Sequence, residues 1–283
     1  MGIYETHEQS PSSSQYPGSR QSAVTWIDGE DNLWLFGGLG FASNDTGGHL
    51  NDLWKYNISS KKWAWMSGDQ AVNVPSRFGP LGSPSPSSIP GGRGLSVSWM
   101  SFDTSEYLWL FGGENETIAF NDLWQFNISS KEWTWIGGAD LFQSAGVYGQ
   151  IGVPSPSNFP GARHYSVSFD TRKADQLLWL FGGRGVDTNG VFGSLNDFWN
   201  FNIQQKEWTW AGGSNITNQQ GFRGDKGVAS TNYVPGLRFG AISWTTNNGS
   251  ILWLFGGYSI DVNNNVGMCK SHFLISSVSL FCY

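Results

Sequence analysis

Hydrophobic residues along this chain fall in short runs with a period of two, separated by clusters of Gly, Asn, Asp and Ser. The pattern is sharpest in the phrase LWLFGG, which occurs at Leu33–Gly38, Leu108–Gly113, Leu178–Gly183 and Leu252–Gly257. In an extended strand Leu33 and Leu35 point to one face while Trp34 and Phe36 point to the other. Both sets are apolar, so each copy predicts a strand covered on both sides rather than one with a wet face.

Other phrases keep the same register. NDLWKYNI (Asn51–Ile58), NDLWQFNI (Asn121–Ile128) and NDFWNFNI (Asn196–Ile203) follow the first three copies, and each is followed by KWAW (Lys62–Trp65) or EWTW (Glu132–Trp135, Glu207–Trp210). A PGxR phrase ending at Arg20, Arg93, Arg163 or Arg238 precedes each unit. Every complete unit therefore predicts four short strands joined by turns, an antiparallel meander repeated along the chain. Sheets that are apolar on both faces are covered when equivalent sheets stack against one another, which predicts an all-β propeller of about three and a half four-stranded antiparallel blades.

The expected blades are residues 20–66, 93–136 and 163–211, with a half blade at 238–257 that completes a partial propeller over residues 1–257. Residues 258–283 match nothing upstream and read as a separate tail. A repeat cut at both ends suggests a portion of a longer propeller, with self-association through open blade faces as the alternative. The doublets Gly37, Gly38, Gly112, Gly113, Gly182, Gly183, Gly256 and Gly257 predict positive φ and close backbone approach. Arg20, Arg93, Arg163 and Arg238 recur once per unit, as do Asp52, Asp122 and Asp197, so the arginines are expected to pair with these aspartates or stack on Trp.

These phrases resemble kelch repeats, and the combination of WTW, SPSNFPGAR and LWLFGG resembles the Trp-rich kelch proteins of bacteria and protists. The resemblance covers Tyr4–Gly257 and implies a kelch propeller without implying a reaction. Some kelch-type propellers, galactose oxidase among them, are copper-radical enzymes whose chemistry needs a Tyr cross-linked to a Cys, with His and Tyr ligands. Here the cysteines are Cys269 and Cys282, and His7, His49, His164 and His272 lie far apart in sequence. No Walker loop, G-x-S-x-G elbow or HExxH pair occurs. The sequence therefore predicts no catalytic residues, no metal and no cofactor.

Composition changes the picture in two respects. With 38 Gly, 16 Trp and 19 Phe but only 13% charged residues, the chain favours strands and turns. A net charge of −6 argues against nucleic acid as a partner. Residues 1–20 show no signal-peptide pattern and the apolar stretch Phe273–Tyr283 is too short to span a bilayer, while Asn44, Asn57, Asn115, Asn127, Asn215 and Asn248 head N-x-S/T acceptors, so compartment stays open.

The long segments between units, Ser67–Gly92, Gly137–Ala162 and Gly212–Leu237, are rich in Gly, Ser, Pro and Asn, and segments of such length commonly carry function. In a meander they share a face with the connections between second and third strands. Arg77, Phe78, Phe142, Tyr148, Phe222 and Arg223 within them, with Arg184 from a second-to-third connection, are the expected binding residues. The expected function is a non-catalytic adaptor or scaffold that binds a protein through this face. The alternatives are a piece of a larger galactose-oxidase-type enzyme and a glycan-binding or spacer propeller at a cell surface.

Overall fold

The computed structural model describes residues 1–4, 12, 14–101, 107–116, 118–139, 143–169, 176–222, 229–230, 234–246, 249, 251–260, 266–268, 272–276 and 280–282. Every regular element among them is a β-strand. The chain divides into two compact units, Met1–Asp140 and Leu141–Tyr283. Each unit contains two larger antiparallel sheets.

In the first sheet Val24–Ile27, Leu33–Phe41, Gly47–Asn57 and Lys62–Ser67 pair in sequence order, and Arg20–Gln21 pairs with the far end of Leu33–Phe41. The second sheet repeats the meander with Val97–Ser101, Tyr107–Phe111, Leu123–Asn127 and Glu132–Gly137. The third does so with Val167–Phe169, Leu177–Val186, Phe192–Asn202 and Glu207–Gly212, and Arg163–His164 pairs as Arg20–Gln21 does.

The fourth sheet corrects the sequence reading. Ile242–Thr246 and Ile251–Phe255 were expected to form a half blade ahead of an unmatched tail. Instead His272–Ser276 pairs with Ile251–Phe255, Leu280–Cys282 pairs with His272–Ser276, and Ala229–Ser230 closes the outer edge. The tail thus supplies the third and fourth strands without the NDxW or WxW phrases. Ladder hydrogen bonds come from the backbone, so the pairing needs none of the side chains that made the other repeats recognisable.

A bulge organises the first and third sheets. Phe36 opposes Leu53 and Gly38 opposes Leu50, so Gly37 alone faces Asn51 and Asp52. Gly182 faces Asn196 and Asp197 in the same way. Gly37 and Gly182 take φ of 64° and 56°, a region that costs an L-residue about 1–2 kcal/mol. A Cβ on Gly182 would lie 2.9 Å from the carbonyl oxygens of Arg238 and Leu195, because the N–H of Gly183 donates to the Arg238 carbonyl of the next repeat. The doublet is where one sheet's backbone touches the next.

The repeated arginine completes the arrangement. Arg93 is 1% exposed; its Nε donates to Gly91 O, and Nη1 donates to Gly112 O and Asp122 Oδ1, with Nη2 on Asp122 Oδ2 at 2.8 Å. Arg20 with Asp52 and Arg163 with Asp197 form the same two-pronged pair. In all three the Trp two residues after the aspartate donates its indole N–H to Oδ2. Arg238 is fully buried and keeps the bonds to Gly236 O and Gly256 O. Both prongs carry formal charge in a dry site, which makes these hydrogen bonds strong and their geometry exacting.

Within each unit the sheets pack face to face. In the first, Val24, Trp26, Trp34, Phe36 and Met66 meet Leu108, Leu110, Trp124, Phe126 and Trp133 of the second sheet. The Trp26 indole N–H donates to Trp99 O at 3.0 Å. In the second unit Val167, Phe169 and Phe181 pack on Leu252 and Leu254.

Two stability measurements test this account. Asp122→Ala leaves the Arg93 guanidinium buried without its counter-charge, and its urea unfolding midpoint is expected to correspond to a loss of about 3–5 kcal/mol; replacing both members by apolar residues of similar size recovers most of it. Gly182→Ala is expected to cost at least ~1 kcal/mol more than Gly190→Ala, since both have positive φ but a Cβ at Gly190 meets nothing within 4 Å. Equal losses would remove inter-repeat crowding as the reason for the doublet.

Candidate functional site

Beyond the bulge, the second and third strands of the first and third sheets continue as an arm that leaves the sheet core. Gly38–Phe41 runs against Gly47–Leu50, and Gly183–Val186 against Phe192–Leu195. In the second sheet the arm is a short hairpin, Glu114–Asn115 with Ile118–Ala119, and in the fourth it is Tyr258–Ile260 with Val266–Met268. Each arm pairs with the residue that follows the repeated arginine: Gln21 with Leu39, Gly94 with Glu114, His164 with Arg184, Phe239 with Tyr258. The next residue, Ser22, Leu95 or Tyr165, has φ of 55–60°, so the chain turns sharply there in a conformation such residues rarely adopt.

The arms are anchored to the segments that follow their sheets. Ser43 N donates to Gln70 O and Asn73 N to His49 O; Thr188 N donates to Asn215 O and Asn218 N to Ser194 O. Asp187, 2% exposed, accepts from the backbone N–H of Asn189, Val191 and Thr217. Burial works to raise its pKa, but these N–H groups outweigh it and hold the carboxyl below its ordinary value. Such arms present side chains from rigid backbone.

In the first unit the arm edge forms a groove of about 540 Å³ whose lining includes Arg20, Gln21, Leu39, Phe41, Gly47 and Glu116. Leu39 and Phe41 are 39% and 43% exposed. Glu116 is exposed and sits at φ 42° in the turn of the second sheet's arm. His49, the cross-strand partner of Leu39, is buried, and burial lowers its pKa against the opposing pull of the Glu116 carboxylate.

In the second unit the same edge carries an aromatic ledge. Phe192 and His164 are 6.1 Å apart, His164 and Tyr165 5.4 Å, Tyr165 and Phe239 6.0 Å, and Phe239 and Tyr258 5.1 Å. Tyr165, Phe192 and Tyr258 are 41–43% exposed. The Arg184 guanidinium lies 5.4 Å over the Phe192 ring. Burial and then Arg184 push the His164 imidazole down to about 4, so it is neutral near pH 7.

The expected binding residues divide. Arg184 lies on the ledge and is exposed, and Phe222 is 64% exposed on its own segment, bridged to Val234. Arg77 is half-exposed and paired with Asp69 at 2.9 Å. Tyr148 corrects the sequence reading: it is 3% exposed, packs on Trp199 and Trp210, and donates its hydroxyl to Asp197 at 2.7 Å. Burial and the Asp197 carboxylate raise its pKa, which keeps it a donor. Phe78 is likewise turned inward, stacked on Trp124 and edge-on to Trp135. Tyr4 makes the equivalent bond to Asp52. Phe142 and Arg223 lie outside the described residues.

The long segments are largely occupied with packing. Ser12, Ser85 and Ser155 form bridges to Trp63, Trp133 and Trp208, the outer strands of the sheets that follow them. Gly82 and Gly152 donate to Trp135 O and Trp210 O. These segments cover sheet edges that would otherwise offer unpaired backbone groups. The residues that sequence reasoning missed, Gln21, Leu39, Gly47, His164, Tyr165, Phe192, Phe239 and Tyr258, stand at positions that vary within a strict repeat, which is the signal that marks them. Among the described residues no three His, Cys, Asp or Glu side chains converge.

The neutral state of His164 predicts a pH dependence. A folded pKa near 4 lies below the ordinary value of about 6.5, so its contribution to stability is complete above pH 6.5 and is lost as pH falls toward 4. The urea midpoint of the wild type is expected to drop more steeply between pH 7 and 4.5 than that of His164→Gln. Parallel curves would contradict a neutral buried imidazole.

No family model and no curated protein matches this sequence. Among solved structures the chain is similar to YjhT, with 16% identity and a TM-score of 0.49 over 94% of this chain and 85% of that one.

Proposed function

We propose that the four sheets are blades of a kelch-type β-propeller and that the chain is a non-catalytic module binding a protein partner along the edge that carries the arms. The repeated meander, the sheet-on-sheet packing inside each unit and the glycine contacts between successive repeats support the propeller reading. The observation that carries the binding reading is the ledge. Tyr165, Phe192 and Tyr258 stand 41–43% exposed and Arg184 is exposed beside them, and aromatic and arginine side chains held this way are the usual anchors of protein interfaces. The other recurring polar groups, the arginines with their aspartates, are buried and bonded to one another.

The test compares wild-type chain with Arg184→Ala/Phe192→Ala, both with unchanged thermal midpoints, as immobilised bait for source extract. Quantitative mass spectrometry is expected to find partners held by the wild type and depleted at least tenfold by the variant. Equal recovery would move the binding surface elsewhere; recovery of nothing above a bare matrix would overturn the binding reading.

A further inference from the structure

The first and third repeats build the same arm and fill it differently. Leu39 in the first occupies the register position of Arg184 in the third, Phe41 that of Val186, and Gly47 that of Phe192. In the third repeat the chain supplies both halves of a cation–π contact, with Arg184 lying on Phe192. In the first, the arginine is replaced by Leu39 and the opposing ring by a glycine, while a phenyl ring appears at Phe41, 43% exposed. The space that remains is the groove of about 540 Å³, inside the range of sites that take small ligands or single side chains.

The charges around that groove select its occupant. Arg20 is already matched by a carboxylate, since its two Nη atoms donate to the two oxygens of Asp52, and Nε and Nη1 also donate to Gly18 O and Gly37 O. The pair cancels. His49, 6% exposed, has no hydrogen-bond partner at Nδ1 among the described residues. The acidic residue lining the groove beside the matched Arg20–Asp52 pair is Glu116, which is exposed, and Leu39 and Phe41 supply apolar lining. A long aliphatic stem ending in a cation satisfies both: its methylenes cover Leu39, and its charged head meets Phe41 and Glu116. A net charge of −6 on the chain favours the approach of such a group.

We propose that the groove beside Glu116, Phe41 and Leu39 receives a lysine or arginine side chain of the partner protein, an inference that rests on the partner-binding reading above. The test is an amide NMR titration of the full chain with Nα-acetyl-arginine methylamide, its lysine counterpart, and the uncharged norleucine counterpart. Saturable shifts at the Gly47 and Gly48 amides are expected for the two basic probes, with at least fivefold weaker binding of norleucine. Glu116→Gln is expected to weaken the basic probes at least fivefold, and Gly47→Phe, which places a ring where the third repeat has one, to abolish the shift they cause at Gly48. Gly47 tolerates a Cβ, whose nearest contact is 3.5 Å away on the Phe41 ring, and unchanged amide spectra away from the arm establish folding of both variants. Norleucine binding as tightly as arginine, or Glu116→Gln binding like wild type, would overturn the proposal. Failure of the basic probes with partner capture intact would overturn this inference and leave the partner-binding reading standing.

Discussion

The two-pronged bond between the repeated arginine and the aspartate of NDxW is the constraint on which the architecture depends. In the first and third sheets it joins the entry to a repeat, the carbonyl of the bulge glycine and the aspartate opposite that bulge. A buried ion pair adds little net stability over an apolar pair of the same shape, because desolvation offsets the attraction. Its force lies in what it forbids. Slipping the strands by one residue would leave a guanidinium and a carboxylate buried apart, which costs far more than any mispaired apolar contact. The bond therefore fixes register, and the bulge residue must be glycine because the backbone there takes positive φ against the carbonyls of neighbouring segments.

From that register the remaining layers follow. The asparagine ahead of each aspartate turns the other way and ties down the segment leaving the sheet: Asn51 accepts from Asp69 N, Asn121 from Ala139 N and Asn196 from Ser214 N. The segment then runs along the outer strand of the following sheet and buries an aromatic ring, Phe78 or Tyr148, against two tryptophans. Long polar segments that look free in one dimension are thus edge covers. Side-chain identity is free to vary in the arms, the part of the repeat outside the ion pair and the tryptophan packing, where one repeat carries a ring and another a glycine.

Much of the fold was legible because repetition amplifies weak local signals. A single LWLF run is ambiguous between a buried strand and a short core segment, but its copies in register with NDxW, WxW and PGxR define a meander. The site was far less legible. Arg184 and Phe222 are exposed, whereas Tyr148 and Phe78 stand at the same place before PGxR in successive repeats, and that regularity belongs to packing rather than recognition. Gln21, His164 and Tyr165 follow the arginine directly and vary from repeat to repeat; hydropathy carries no information about them because their exposure depends on the turn at positive φ.

The sequence by itself determined the four-strand meander of each of the first three sheets and the glycine positions, and it narrowed the recurring arginines to pairing with aspartate or stacking on Trp, since each follows from local periodicity or from repetition; the added edge strands Arg20–Gln21 and Arg163–His164 carried no such signal. Only the tertiary structure decided that residues beyond Gly257 complete a fourth sheet, that Tyr148 is buried while Phe192 is not, and that Glu116 of one arm lines the same groove as Phe41 of another. The physical reason is that backbone pairing is indifferent to side-chain identity, and exposure is set by neighbours distant in sequence that no local pattern records.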